Sequence, residues 1–231
     1  VEYDQGGTLS EKTMKLDTEV LAEYSTFVEE EGEVEWISVP LSPARARALD
    51  LDPFWAECLS AKITVRECVS RLWAGLQGLL PRTVKALTKQ TSALAILKTA
   101  ERGLSLVYFI GEIPDGEVRR GYAPVDQLPD KAGVFPIDLL PFYQLHDGFV
   151  DLMTDDAGLL PTSSWITVPD RRTGEPSLIK VVLEDSDAFG FDVSESPCKA
   201  YLLQPDSGEV TLVAKPWIYL DELMAASMED M

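Results

Sequence analysis

The amino-acid sequence predicts an α+β protein, an antiparallel sheet with helices to one side, preceded by a mainly helical N-terminal region. Three observations carry this expectation: helix-spaced apolar residues between positions 42 and 103, short β-rich runs separated by turn residues between 165 and 213, and a helical pattern that returns at Pro216. The 231 residues are 45% hydrophobic and 26% charged, the balance of a chain that buries a core.

Residues 1–13 have acidic side chains and no apolar core, so they read as a flexible lead-in without a secretory signal, and a cytoplasmic location is expected. From Asp17 to Val28 the apolar residues Val20, Leu21, Tyr24, Phe27 and Val28 recur at three- and four-residue steps, which predicts an amphipathic helix capped by Asp17 or Thr18. The acidic run Glu29-Glu30-Glu31 meets Gly32, a helix stop, and Glu33 to Val39 alternates as a strand before Pro40. Residues 42–103 read as helical throughout. One helix aligns Val65, Cys68, Leu72, Trp73, Leu76 and Leu79 opposite Arg66, Glu67 and Arg71, and is broken by Gly78 and Pro81. A second runs from Arg82 to Arg102 with Val84, Leu87, Thr91, Leu94 and Leu97 inward and Gly103 as its stop; Arg82, Lys85, Lys89 and Lys98 form its solvated face. Leu104 to Ile110 is a short buried strand, and Pro114-Asp115-Gly116 a turn.

After Tyr122 the pattern predicts a helix near Asp138 to Leu145 and a Gly- and Asp-rich loop. Strands follow at Trp165 to Val168, Ser177 to Leu183, Ala188 to Val193, Lys199 to Leu203 and Val210 to Val213, with a last helix from about Pro216. The chain thus divides into the lead-in, a mainly helical region 14–110 with two strands, and an α+β module 111–231. Whether 14–110 folds alone is open, but no Pro- or Ser-rich linker follows it, which favours a shared core.

Charge narrows the function. The net charge is −19, distributed as −9 over residues 1–40, +5 over 41–110 and −15 over 111–231. Such a chain repels phosphate backbones, so nucleic acid is excluded as a direct partner, and a cationic partner is what it attracts. Acidity by itself is better accounted for by solubility. No membrane span is expected, because the apolar run Ser105 to Ile110 is cut short by Gly111 and Glu112. Cys58, Cys68 and Cys198 have no metal-binding spacing and read as reduced, mostly buried thiols.

The segment Phe135-Pro136-Ile137-Asp138-Leu139-Leu140-Pro141-Phe142-Tyr143-Gln144-Leu145-His146-Asp147-Gly148-Phe149 resembles the opening signature of the SUKH superfamily, in which a Pro starts a short helix, an aromatic sits in its middle and Asn-Gly or Asp-Gly ends it. Phe189-Gly190-Phe191-Asp192, Ala200-Tyr201-Leu202-Leu203, Gly208 to Ala214 and Trp217-Ile218-Tyr219-Leu220-Asp221-Glu222-Leu223 are similar to the family's closing strands, hairpin and helix. The resemblance covers Gly121 to Ala225 and implies a SUKH-like fold and an immunity function: binding and blocking a cognate toxin protein, often a nuclease with a basic groove. It implies no particular site residues, since members of the family use different surfaces, and it leaves residues 14–110 as an elaboration or a separate module. A non-catalytic regulatory scaffold of the same fold, binding a host protein, is the alternative that it implies.

The sequence offers little chemistry. His146 is the one histidine, and with Asp147 it reads as a helix end, the imidazole favouring the dipole and the Asp starting a turn. Asp151, Asp155 and Asp156 have carboxylate density without the ligand spacing of a calcium loop, so a metal-dependent enzyme is only a third reading, and no catalytic residue, metal or cofactor is assigned. The candidates for toxin contact are Asp151, Asp155, Asp156, Glu184, Asp185 and Asp187, in predicted loops near Phe149, Trp165 and Phe189, because charge steers association and aromatics anchor it.

Overall fold

The computed structural model describes residues 16–129, 140–155, 158–169, 176–184, 187–192, 199–203 and 210–229. In chain order the elements are α1 (Thr18–Ser25), β1 (Val34–Ser38), α2 (Pro43–Ala48), α3 (Pro53–Ser60), α4 (Val65–Leu72), α5 (Pro81–Gln90), β2 (Thr91–Thr99), β3 (Gly103–Ile110), β4 (Glu117–Tyr122), α6 (Leu140–Tyr143), β5 (Phe149–Asp151), β6 (Gly158–Leu159), β7 (Ile166–Pro169), β8 (Pro176–Glu184), β9 (Asp187–Asp192), β10 (Lys199–Leu203), β11 (Val210–Val213) and α7 (Pro216–Glu229). Among the described residues all strands join one antiparallel sheet, ordered β1-β2-β3-β4-β5-β6-β8-β9-β10-β11 with β7 alongside β8. The sheet is continuous from residue 34 to residue 213: β3 pairs with β4, Tyr108 opposite Arg119 and Val107 opposite Arg120.

Helices α2 to α7 pack on one face, where Trp55, Trp73, Leu87, Phe142 and Leu220 meet Leu94, Ile96, Tyr108, Ile179, Phe189 and Phe191. One element of the N-terminal region takes the other face. Tyr24 and Val28, from α1 and the 3-10 turn Thr26–Glu31 that extends it, lie on the opposite face over Ala93, Ala95, Leu97, Val107, Phe109 and Val118. The same turn corrects the expected apolar stripe. Its three-residue winding rotates Val28 inward and turns Phe27 out, to 47% exposure.

The largest correction falls on residues 82–102. The helix ends at Gln90, and Thr91–Thr99 is a strand paired with both β1 and β3. A strand covered on both faces is apolar at almost every position, so Leu94 and Leu97 satisfy a helical spacing by accident: Leu94 and Ile96 face one core, and Ala93, Ala95 and Leu97 the other. Gly103, expected to stop a helix, has φ +70 and reverses the β2–β3 hairpin instead. The strands expected after residue 165 coincide with β7 to β11 to within one residue at each end.

The last helix is fastened to the N-terminal half through α5. Pro81 opens α5, and the carboxylate of Asp221 in α7, 4% exposed, accepts from the backbone N–H groups of Arg82 (3.0 Å) and Thr83 (2.8 Å). The Thr83 hydroxyl returns a bond to the Asp221 carbonyl at 3.3 Å. A helix start leaves such N–H groups without partners, and here a side chain 138 residues away supplies the acceptor. Asp221→Ala should cost about 2 kcal/mol in urea unfolding, because it strands two backbone donors, that of Thr83 fully buried, whereas Asp221→Asn, which keeps one acceptor, should cost visibly less.

Candidate functional site

Three segments distant in sequence converge on one cleft. The 3-10 turn after α1 supplies Phe27, Glu30 and Glu31, the β2–β3 hairpin supplies Glu101 and Arg102, and the loop after β5 supplies Leu152, Met153, Thr154 and Asp155, around about 340 Å³ of space with Arg120 at its back. Its geometry begins with β4. Adjacent strand residues point to opposite faces, so Arg119 turns toward the helices and pairs with Glu117, while Arg120 turns toward the 3-10 turn. The Arg120 side chain is 1% exposed, and it donates to both Glu31 oxygens, at 2.6 and 2.8 Å, and through Nε to Ser105 at 2.9 Å. Burial alone would raise the Glu31 carboxyl, but hydrogen bonds from Arg120 and Thr99 and the charges of Arg120 and Arg102 together hold it below the usual carboxylate range.

Asp155 closes the other side. Its backbone is left-handed, φ +56, and its amide donates to the Asp151 carbonyl at 3.0 Å. Its carboxylate accepts from the Tyr122 hydroxyl at 2.5 Å and from Arg102 at 3.3 Å. The Tyr122 ring carries two guanidiniums, Arg120 at 4.4 Å and Arg102 at 5.5 Å from its centre. Glu30, Glu101 and Asp155 are exposed, as are Phe27 and, at 44%, Met153.

Of the residues singled out from sequence, Asp155 lies in this cleft. Asp151 does not: its carboxylate accepts from the amides of Met153 and Thr154, at 2.8 and 3.2 Å, and so closes its own turn. Glu184 and Asp187 are paired strand ends of β8 and β9, remote in the sheet order from the hairpin of β2 and β3. Asp156 and Asp185 lie outside the described residues. The aromatics expected beside them are not surface anchors: Phe149 and Phe189 are each 1% exposed, and Trp165 is half-buried, its indole N–H donating to the Tyr143 hydroxyl at 3.1 Å. The exposed apolar contacts are Phe27 and Met153. Phe27 was hidden by its place in a helical stripe, and Glu101 and Arg102 by being read as helix.

His146 also departs from expectation. It is fully buried among Trp55, Trp73, Tyr108 and Phe149, with Nε2 2.8 Å from the Tyr108 hydroxyl, which in turn accepts from the Trp73 indole at 3.1 Å. Burial pushes its pKa down to about 3, so it is neutral and offers no charge to a helix dipole. Asp147 does serve a turn, accepting from the Thr162 amide at 2.8 Å, and Gly148 takes φ +90 where a side chain would strike Pro161. Cys58 and Cys68 are free and buried, and burial raises the Cys68 thiol to about 12. Among the described residues no group of three or more His, Cys, Asp and Glu could hold a metal ion, and no helix is long and apolar enough to cross a membrane.

No family model, curated protein or solved structure matches the chain.

Two measurements follow from this geometry. Arg120→Met should destabilise the fold by about 3 kcal/mol, since it leaves Glu31 buried without its partner, and the double variant Arg120→Met/Glu31→Leu should recover much of that loss in a denaturation cycle. The unfolded chain protonates His146 near the ordinary value of 6.5 and the folded chain only near 3, so this contribution to stability is complete above pH 6.5 and is lost as pH falls toward 3. As the chain has one histidine, melting temperature measured from pH 7.5 to 5 should fall in the wild type and stay flatter in His146→Phe.

Proposed function

We propose that this chain is a non-catalytic binding module that captures and neutralises a cationic protein, in the manner of the immunity proteins that residues 121–225 resemble. The observation that carries the proposal is the cleft: carboxylates from the acidic N-terminal segment (Glu30, Glu31), from the β2–β3 hairpin (Glu101) and from the acidic C-terminal segment (Asp155) stand together beside exposed Phe27 and Met153. Scattered carboxylates only keep a protein in solution, whereas carboxylates gathered around exposed apolar side chains pair long-range attraction with the desolvated contact that holds a complex. A toxin that acts on nucleic acid needs a basic groove, and a basic groove is the chemical counterpart of this surface. The SUKH-like reading of α6, β8 to β11 and α7 belongs to the same proposal.

Co-expression with a toxin encoded beside this chain tests it. The wild type should protect cells and co-purify with the toxin. Phe27→Ala and Glu30→Lys, both at exposed positions, should weaken protection and complex formation while leaving the melting temperature unchanged, and the association rate of the wild type should fall as salt is raised. Continued killing with no co-purifying complex overturns the proposal.

A further inference from the structure

Arg102 has a place in the cleft that the fold does not require. Its side chain is 30% exposed on the turn between β2 and β3, and its backbone is held independently, the amide donating to the Thr99 hydroxyl at 3.2 Å. Its guanidinium touches Asp155 at 3.3 Å, lies 4.0 Å from Glu31 and sits 5.5 Å from the centre of the Tyr122 ring. Each of these has a stronger internal partner. Glu31 is taken bidentately by Arg120, the face of Tyr122 is covered more closely by Arg120, and Asp155 keeps the Tyr122 hydroxyl. What Arg102 fills is therefore a guanidinium position: a carboxylate edge, an aromatic face and, beside them, the apolar walls of Leu152, Met153 and Phe27 along which a methylene stem can lie.

We infer that the cleft is a receptor for an arginine side chain carried by the bound protein, and that Arg102 holds that place until the partner displaces it. The inference rests on the protein-binding reading and names the partner's contact group. With Arg102 turned out to solvent, Glu30, Glu31, Glu101 and Asp155 face Arg120 alone, a surplus of carboxylate that favours the entry of a second guanidinium. The space suffices, since about 340 Å³ is the share of roughly eleven waters, more than the seven heavy atoms of an arginine side chain occupy. Arginine is favoured over lysine because a planar fork can stack on Tyr122 while bonding Asp155 along its edge, which a compact ammonium does not do.

The test needs no toxin. N-acetyl-arginine amide is titrated into the full chain by NMR, with the lysine and citrulline amides as charge and shape controls. Arg102→Gln should bind the arginine amide about fivefold more tightly than the wild type, the gain expected from removing one competing exposed ion pair. Asp155→Asn, which suits the left-handed backbone and removes only the charge, should weaken binding in either background. If Arg102→Gln disturbs the fold, Arg102→Lys replaces it, and its poorer stand-in should give a smaller rise. Equal affinity in the wild type and in the Arg102 variant, or citrulline amide binding as well as arginine amide, overturns the inference. The two readings fail separately: arginine amide binding without protection from a toxin removes the immunity function, and protection without arginine amide binding removes the receptor.

Discussion

A guanidinium with 1% exposure must be neutralised where it stands, and the N-terminal part of the sheet is arranged around that requirement. Arg120 projects from β4 toward the face that α1 covers, so the carboxylate that meets it has to come from the segment following α1. The 3-10 turn brings Glu31 to it, and Val28, drawn under in the same winding, seals the apolar side of the contact. The pair fixes the height of the turn above the sheet, and with it the positions of Phe27 and Glu30. The mouth of the cleft is thus set by a contact at its floor. Thr99 and Ser105, from β2 and β3, satisfy the remaining atoms of the pair, which is how four separate segments come to share one polar centre in an otherwise apolar layer.

The opposite face of the sheet solves a different problem. Around His146 the polar groups are aromatic, and Trp73, Tyr108 and His146 pass hydrogen bonds along a chain that carries no net charge. Packing this dense leaves a histidine only one acceptable state. The two faces divide the labour: the helix side, where Arg119 is paired with Glu117, is a rigid support, and the α1 side holds charge in fixed positions next to solvent. A protein that presents carboxylates to a partner gains from such rigidity, since the carboxylates do not have to be ordered at the moment of binding.

The parts legible in the sequence were those in which one local signal dominates. Strands β7 to β11 stood out because turn residues separate short β-rich runs, and α4 because one face is apolar and the other charged, although it ends at Leu72 and not near Gly78 as its spacing suggested. Strand β2 was not legible, because burial on both faces removes the alternation that marks a strand. Strand β4 was concealed by Arg119 and Arg120, which look solvated until each is given its own carboxylate on its own face. The cleft was illegible for a further reason: its residues are separated by up to 128 positions, from Phe27 to Asp155, and only the register of β2, β3, β4 and β5 brings them together. The acidity of both ends was plain, but not that Glu31 and Asp155 would stand around the same two arginines.

The bond from Asp221 to the start of α5 also bears on how the chain is made. A ribosome releases residues 81–90 long before residue 221 exists, so α5 emerges with its first amides unsatisfied and has to wait for a partner synthesised more than a hundred residues later. Until then the apolar surface that α7 will cover stays open, an interval in which a nascent chain is vulnerable to proteases and to its neighbours and has reason to be held by a chaperone. Helix α7 acts as a latch, and the layer of helices beneath it can close only once residue 221 has been made.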